Sequence, residues 1–220
     1  MGWFRLRPST IRYQMDFFDL HTHNEAADSR HSILNSNTAI EERYTSVGLH
    51  PWNITGDWEK EFSKIIEPAK SKNVIAIGEC GIDKLKSTVN LATQITVFQA
   101  HAKLSEETKK PLIIHCVKGI DEIIRVYREL NPTQAWIIHG FRGKPQQALQ
   151  ITACGLYISF GEHFNAESIK ATPLDRMFIE SDESTGPIAD IYSAIAKAKG
   201  VEVETLQQSI SANIKATIQF

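Results

Sequence analysis

Short, continuous hydrophobic runs alternate with longer amphipathic stretches along most of this chain. The runs have the length and composition of buried β-strands, and they cover residues 17–23, 31–37, 44–51, 73–81, 111–117, 135–141, 156–161 and 177–182. The run at 31–37 is the weakest of these. Buried strands separated by helix-length segments are typical of βαβ units, so the pattern predicts a parallel sheet.

The amphipathic stretches predict helices over residues 57–72, 88–109, 119–130, 145–153, 188–199 and 202–219. In the first of these, apolar residues recur at helical spacing, Asp57 is a candidate N-cap, and Pro68 is expected to end or bend the helix. Eight strands with helices between most of them predict a TIM-like (β/α)8 barrel. Between the first and third strands there is too little chain for a helix and its loops, so we expect the barrel to be irregular or partly open there.

Composition narrows the possible classes of protein. The chain has 220 residues, of which 42% are hydrophobic, and a formal net charge of −2. These values fit one large domain or two small ones and argue against a broad basic surface. No repeat, linker or low-complexity tract divides the chain, and strand-like sequence begins only after Met15. We therefore expect an N-terminal extension over residues 1–15 and one barrel domain over residues 16–220. Three widely spaced cysteines favour reduced thiols and a cytoplasmic protein. We expect no contact with a membrane, since no apolar run approaches the ~20 residues of a transmembrane helix. A monomer is plausible.

Five of the strand-like runs lead directly into a residue that can bind a divalent metal. The segments are FFDLHTH, NVIAIGECG, PLIIHC, AWIIHGF and MFIESDE. In a parallel barrel the carboxyl ends of all strands meet at one face, where the active site is built. The sequence therefore predicts a metal site at that face, with these candidate ligands: His21, His23, Glu79, His115, His139 and Asp182.

Different residue types in this set suit different roles. His21 and His23 are two positions apart in a strand, so their rings project from the same face. Glu79 has two oxygens and can bridge two ions, which an imidazole cannot do. Asp182 is the candidate for moving protons, and Glu79 and Asp182 are the predicted catalytic residues. Glu180 lies one layer deeper and is expected to support the ligands.

Three further residues are candidates for substrate binding. His50 follows the third strand, in GLHPW, and an ordinary loop histidine is an equally good interpretation. Lys118 and Arg142 come just after His115 and His139, where a cation could pair with a substrate phosphate. Cys80 and Cys116 alternate with Glu79 and His115, so we expect them to pack away from the site. Three other histidines lack an apolar strand before them and are left out, with the one on a helix expected on its polar face: His31, His101 and His163.

The ordered motifs DLHTH, VGLHPW, IGECGID, PLIIHCVKG, IIHGFRG and FIESD resemble those of the TatD family of metal-dependent hydrolases. The resemblance covers about residues 16–220. It implies a TIM-like barrel, one or two divalent metal ions and a deoxyribonuclease activity. Carried over by motif, it implies one ion held by His21, His23, Glu79 and Asp182. A second ion would be held by Glu79, His115 and His139.

The chain also departs from the family pattern. A compact stretch up to Tyr44 replaces the usual helix and strand after HxH, and ESDESTGP delays the final proline to Pro187. Position 80 is Cys where Thr is usual. These changes fall on loops at the mouth of the barrel, so they bear on the substrate more than on the metal.

We therefore expect a phosphodiesterase that acts on DNA or on a small phosphodiester. Divalent cations such as Mg, Mn, Zn, Fe or Ni would activate a water, and Asp182 would deprotonate it. One alternative is a hydrolase of a C–N or ester bond, as in related barrels that carry a lysine where Glu79 stands here. The other is a metal-loaded protein that binds nucleic-acid ends without cutting them.

Overall fold

Within residues 17–220, eight parallel strands form one sheet in the order in which they occur along the chain. The computed structural model describes residues 17–220, so the predicted extension at 1–15 lies outside the described part. The strands are β1 Asp19–Thr22, β2 Ser32–Ser36, β3 Thr45–Val47, β4 Val74–Asp83, β5 Leu112–Val117, β6 Trp136–Ile138, β7 Tyr157–Phe160 and β8 Met177–Ile179. Every neighbouring pair is parallel.

The first and last strands meet and close the sheet. Thr22 forms a parallel bridge with Asp182, just past β8. The His23 backbone N–H donates to the Asp182 carbonyl at 3.0 Å, and the Asp182 N–H donates to the His21 carbonyl at 2.9 Å. This closure confirms the predicted TIM-like barrel, and it places a ligand candidate from each end of the barrel side by side.

Helices pack around the barrel over the following bounds: α1 Trp58–Ile66, α2 Leu91–Thr108, α3 Ile120–Leu130, α4 Pro145–Ala153, α5 Ala166–Ala171, α6 Ile188–Lys199 and α7 Val203–Thr217. Pro68 starts a separate 3-10 turn after α1, as predicted, but the Asp57 side chain makes no capping hydrogen bond. Helix α5 was not predicted, because only two of its residues are buried and it lacks a recognisable apolar stripe. Within residues 17–220, every helix is too short or too polar to cross a lipid bilayer.

The corner between β1 and β3 is irregular, as the sequence predicts. Residues 23–31 and 37–44 connect the three strands without a helix. Parallel strands are usually joined by a crossover helix that covers the sheet. Here Phe220 covers part of the outer face instead, with its ring 5.1 Å from that of Tyr44 and 6.2 Å from that of Phe18.

His101 does not lie on a polar face of its helix, so that prediction was wrong. It is fully buried in α2, where its Nε2 accepts the Leu49 backbone N–H at 2.9 Å and its Nδ1 lies 2.8 Å from the Val97 carbonyl. Nε2 must therefore be the acceptor and Nδ1 the protonated donor of a neutral ring. Burial lowers the pKa of His101 to about 4.

Candidate metal centre

The predicted ligands meet at the carboxyl ends of their strands. His21 lies in β1 and His23 directly after it, while Glu79 and His115 lie within β4 and β5. The remaining two come just past β6 and β8, and they are His139 and Asp182. Segments that are far apart in sequence thus supply one compact cluster, because a closed parallel barrel brings all its carboxyl ends to the same face.

One oxygen of Glu79 faces the two histidines of β1. Glu79 Oε2 lies 3.4 Å from His21 Nε2 and 3.5 Å from His23 Nε2. Asp182 completes this side, with its Oδ1 3.9 Å and 3.7 Å from the same two nitrogens. These residues are the four that the family resemblance assigns to the first ion.

The other oxygen of Glu79 faces a second set of imidazoles. Glu79 Oε1 lies 2.8 Å from His115 Nδ1, 2.8 Å from His139 Nε2 and 3.1 Å from His50 Nε2. The structure therefore places His50 beside the set expected around a second ion. Because its two oxygens point to different groups of nitrogens, Glu79 has the orientation required of a bridging carboxylate.

The donor set fits divalent cations. His21 is fully buried, and among the described residues neither of its ring nitrogens has a hydrogen-bond partner. A buried nitrogen without a partner is unfavourable, and a cation at Nε2 would satisfy it. Among the described residues, four overlapping groups of three side chains have ligand atoms within 4.8 Å of one another. Their members are His21, His23, His50, Glu79, His115, His139, Glu180 and Asp182. Mixed imidazole and carboxylate ligands suit Zn, Mn, Fe or Ni, and the carboxylates also suit Mg.

Electrostatics in the cluster keep Glu79 ionised. Burial acts to raise the pKa of Glu79, but the imidazoles of His139, His115 and His21 outweigh it and hold that pKa far below its usual range. For His139, burial acts to lower the pKa, and the carboxylates of Glu79 and Glu180 instead raise it well above the ordinary value. The carboxylates of Glu79 and Glu180 thus favour positive charge among the imidazoles, and a bound cation would supply it in place of a ring proton.

Two buried carboxylates lie behind the histidines of the second set. Glu180, fully buried as expected for a supporting residue, lies with its Oε1 3.4 Å from His139 Nδ1 and accepts the Gly140 N–H at 2.5 Å. Asp83 lies with its Oδ2 3.1 Å from His115 Nε2. Burial acts to raise the pKa of Asp83, but hydrogen bonds, the first of them from Trp52, lower it to about 2.

A cavity of about 300 Å³ opens onto the cluster. Five of the candidate ligands line it, together with these residues at its mouth and wall: Asn35, His50, Trp52, Asn53 and Glu183. Trp52 is 45% exposed although its indole N–H donates to Asp83 at 2.6 Å. The cavity therefore offers a fixed aromatic surface beside the candidate metal centre.

The predicted substrate-binding residues lie in three different settings. His50 lines the cavity, and its Nδ1 accepts the Trp52 backbone N–H at 3.1 Å. Arg142 lines a neighbouring cavity of about 160 Å³ that shares Asp182 and Glu183 with the first. Lys118 is exposed, with a left-handed backbone (φ 58°), and is absent from the residues lining either cavity. Of the three, His50 is thus the one that lies within the ligand cluster.

Sequence reasoning missed Asp83, Trp52 and Asn35. Asp83 has the same strand parity as Glu79, so alternation along β4 could have indicated it. Asn35 Oδ1 accepts the Glu79 backbone N–H at 3.1 Å, a contact that depends on the pairing of distant strands. Trp52 carried no signal beyond its position two residues after His50.

Cys80 and Cys116 lie as expected. Cys80 is fully buried, with its Sγ 3.7 Å from the Ile113 carbonyl, and Cys116 is half-buried against the hydrophobic core. Both thiols are free, as is that of Cys154. The adjacent ligands Glu79 and His115 point into the cluster, so alternation along the strand correctly separates packing residues from ligands.

Comparison with known proteins identifies similar chains. Residues 17–219 match the family model described as TatD related DNase. An uncharacterized metal-dependent hydrolase of Buchnera aphidicola is 32% identical over 145 residues, which cover 62% of this chain and 54% of the relative. YcfH of Escherichia coli K12, also described as an uncharacterized metal-dependent hydrolase, is 27% identical over 189 residues, covering 76% of this chain and 71% of YcfH.

A relative with a stated activity and a solved structure are also similar. The 3'-5' ssDNA/RNA exonuclease TatD of Erwinia billingiae is 28% identical over 149 residues, covering 63% of this chain and 57% of that protein. The alignments thus span from about half to about seven tenths of these relatives. The crystal structure of the TatD homologue YJJV of Escherichia coli superposes with a TM-score of 0.75 at 18% identity, covering 92% of this chain and 97% of YJJV, which supports the fold.

Proposed function

Because this chain belongs to the TatD-related DNase family, we propose that it is a metal-dependent hydrolase that cleaves phosphodiester bonds in DNA. The observation that carries the proposal is the arrangement of Glu79. Its Oε2 faces His21 and His23 while its Oε1 faces His115 and His139. A carboxylate between two groups of imidazoles matches the two-cation sites that hydrolyse phosphate esters.

The residues divide into two ligand sets in this proposal. His21, His23 and Asp182 would hold one cation, His115 and His139 a second, and Glu79 would bridge them. When bound, such cations lower the pKa of a water toward ~7 and neutralise charge on the phosphoryl oxygens. The protein's own part is to fix the nitrogen and oxygen donors before substrate arrives, as buried strands do well.

Asp182 is our candidate for moving the proton. Its side chain is 24% exposed, it lines the cavity, and its Oδ1 faces both histidines of β1. With Oδ1 turned to the ligand cluster, the second carboxylate oxygen can accept a proton from the attacking water and return it to the leaving oxygen. His50 lies at the cavity wall with its Nε2 3.1 Å from Glu79 Oε1, and on substrate binding that N–H would turn to donate to a non-bridging oxygen.

Features of the cavity mouth favour a nucleic-acid strand as substrate. Trp52 exposes nearly half of its surface beside the cluster, and aromatic rings bind unpaired bases by stacking. Arg142 in the neighbouring cavity supplies a cation that could pair with the next phosphate. The Erwinia billingiae relative is described as an exonuclease of single-stranded DNA and RNA. We also propose a cytoplasmic location, which the three free cysteines favour.

A substrate panel tests this proposal. The protein, loaded with Mn or Mg, is incubated with end-labelled single-stranded DNA, double-stranded DNA, RNA, bis(p-nitrophenyl) phosphate and a set of dipeptides. We expect metal-dependent cleavage of single-stranded DNA. Release of mononucleotides would identify an exonuclease, and internal fragments an endonuclease.

The two alternatives give different outcomes in the same panel. Hydrolysis of a dipeptide with intact DNA would identify a C–N hydrolase and would refute the phosphodiesterase. Tight binding of DNA ends without product, in the presence of Mn, would identify a binding protein. Glu79 stands where carbamate-forming barrels carry a lysine, and this observation favours the phosphodiesterase.

A further inference from the structure

Asp83 lies behind the candidate metal centre and contacts both a metal ligand and the cavity mouth. It ends β4, four residues after Glu79, and is 1% exposed. Its Oδ2 accepts the Trp52 indole N–H at 2.6 Å and lies 3.1 Å from His115 Nε2. One buried oxygen therefore links a candidate ligand to an exposed aromatic residue.

The other oxygen of Asp83 is fixed by the backbone. Oδ1 accepts the N–H groups of Leu85 at 2.8 Å and of Lys86 at 2.9 Å. The Asp83 N–H in turn donates to Gln94 Oε1 at 2.9 Å. With both oxygens bound to N–H donors, the carboxylate can neither rotate nor exchange its two oxygens without losing several hydrogen bonds.

We propose that Asp83 is a positioning residue that fixes the tautomer of His115. A carboxylate oxygen that accepts from Trp52 acts as an acceptor toward His115 as well, so His115 Nε2 must carry the proton. When a cation replaces the proton between His115 Nδ1 and Glu79 Oε1, the ring is neutral and Nδ1 offers its lone pair to that cation. His115 Nδ1 is the atom that lies 2.8 Å from Glu79 Oε1, inside the cluster. Asp83 thus sets which nitrogen of His115 binds the cation.

His139 provides an internal comparison. Its Nε2 faces Glu79 Oε1 at 2.8 Å, and its Nδ1 faces Glu180 at 3.4 Å. The two histidines around the same oxygen of Glu79 therefore present opposite ring nitrogens, and each has its own carboxylate behind it. Such outer partners commonly set the orientation and basicity of ligating histidines. This inference depends on the metal centre and is independent of which bond the enzyme cleaves.

The decisive experiment records histidine nitrogen shifts by long-range ¹H–¹⁵N NMR on ¹⁵N-histidine protein loaded with zinc alone, which is diamagnetic. The His115 signals are assigned with the His115→Asn variant. In the wild-type protein we expect His115 to carry its proton on Nε2. A proton on Nδ1 would overturn the proposal without recourse to any variant, so the test does not depend on a substitution that folds poorly.

Variants extend the test to metal affinity. In Asp83→Asn, an amide NH2 at the position of Oδ2 would face the Trp52 N–H and His115 Nε2 and could not accept from either. We therefore expect His115 to shift its proton toward Nδ1. Zinc binding at one of the two sites should weaken about 10- to 100-fold. Trp52→Phe removes the indole N–H together with one of its two fused rings and leaves the Asp83–His115 contact, so tautomer and zinc affinity should match the wild type. Asp190→Asn, at an exposed position of α6, controls for the charge change.

Two results with the variants would also contradict the proposal. One is an Asp83→Asn protein that keeps the Nε2 tautomer and full zinc affinity. The other is a Trp52→Phe protein that loses as much zinc affinity as Asp83→Asn, because the effect would then come from the loop at the mouth. Both readouts use zinc and the protein alone, so a failed search for nuclease activity leaves them interpretable.

Discussion

Glu180 Oε1 lies 3.4 Å from Nδ1 of His139, whose Nε2 is 2.8 Å from Glu79. Glu180 is fully buried, and burial acts to raise its pKa, but its contact with His139 instead lowers that pKa. A buried carboxylate that stays ionised behind a ligand increases the basicity of that ligand. The cluster thus extends beyond the residues that would touch a cation.

The first prediction concerns this pair. In Glu180→Gln the side chain keeps its shape and can still accept the Gly140 N–H, but His139 loses its charged partner. We expect metal affinity, measured by titration with zinc, to fall by about 10- to 100-fold with the fold retained. Glu204→Gln, at an exposed position of α7, should match the wild type. Unchanged affinity in Glu180→Gln would mean that Glu180 serves packing alone.

The second prediction tests the proton-moving role of Asp182. Asp182→Asn keeps the size of the side chain but removes its ability to accept and return a proton. We expect kcat on single-stranded DNA to fall by about 10²- to 10⁴-fold in a metal-replete assay, while the melting temperature of the metal-free protein stays unchanged. Near-normal turnover would rule out this role. Asp190→Asn controls for the loss of one negative charge.

The third prediction concerns stability and metal. Since the ring nitrogens of His21 are buried without a hydrogen-bond partner among the described residues, a bound cation should stabilise the folded state over the unfolded chain. Manganese at 100 times its Kd should add about 2.7 kcal/mol to the free energy of unfolding. A chelator should reverse the gain, and His21→Gln should reduce it, whereas the exposed His163→Gln should not. If manganese leaves the urea midpoint of the wild type unmoved, the cluster does not bind it.

The fourth prediction is a pH dependence that originates at His101, away from the metal centre. Its pKa is about 4 in the folded state against 6.5 for the free side chain, so between these values the unfolded chain binds more protons. His101 should therefore contribute its full stabilisation above pH 6.5 and lose about 3 kcal/mol as the pH falls toward 4. Urea unfolding across this range measures the slope.

His101→Gln isolates that contribution. Glutamine can accept from Leu49 and donate to Val97 but does not titrate in this range, so the slope between pH 6.5 and 4 should flatten. His163→Gln, with its histidine exposed, should keep the wild-type slope. An identical slope in His101→Gln and the wild type would show that His101 is not the titrating group.

The fifth prediction concerns the packing of β4 on β5. Gly81 has φ +140°, and a Cβ there would collide with the carbonyl oxygen of His115. Gly81→Ala should lower the free energy of unfolding by about 2 kcal/mol or more, and should displace His115 enough to weaken metal binding. At Gly56 a Cβ would meet nothing within 4 Å, so Gly56→Ala should be nearly neutral in chemical denaturation.

The ligands could be predicted from the sequence because strand alternation and apolar context are local signals. A hydrophobic run precedes each of His21, Glu79, His115 and His139 and places each of them toward the carboxyl end of a strand. A closed parallel barrel then brings these ends to one face. The irregular corner before β3 followed from chain length alone. Helix α6 was predicted at its observed bounds, Ile188–Lys199, because its apolar stripe is regular.

What the sequence did not reveal depends on contacts between distant residues. His101 lies in the buried stripe of α2 because its Nε2 accepts the N–H of Leu49, which belongs to another part of the chain. Asp83 acquires its role only when β5 brings His115 beside it. Helix α5 is set by the Asn165 side chain, which accepts the N–H groups of Glu167 and Ser168, rather than by a hydrophobic pattern.

The closure of the barrel between β1 and β8 has a consequence for synthesis on the ribosome. His21 and His23 emerge early, but Asp182 joins them only when β8 has been made and docks against β1. During most of translation the nascent chain therefore holds an incomplete set of ligands. A complete set of ligands arises only once β8 has been made, so a product that terminates before β8 would lack Asp182 and could not assemble the cluster.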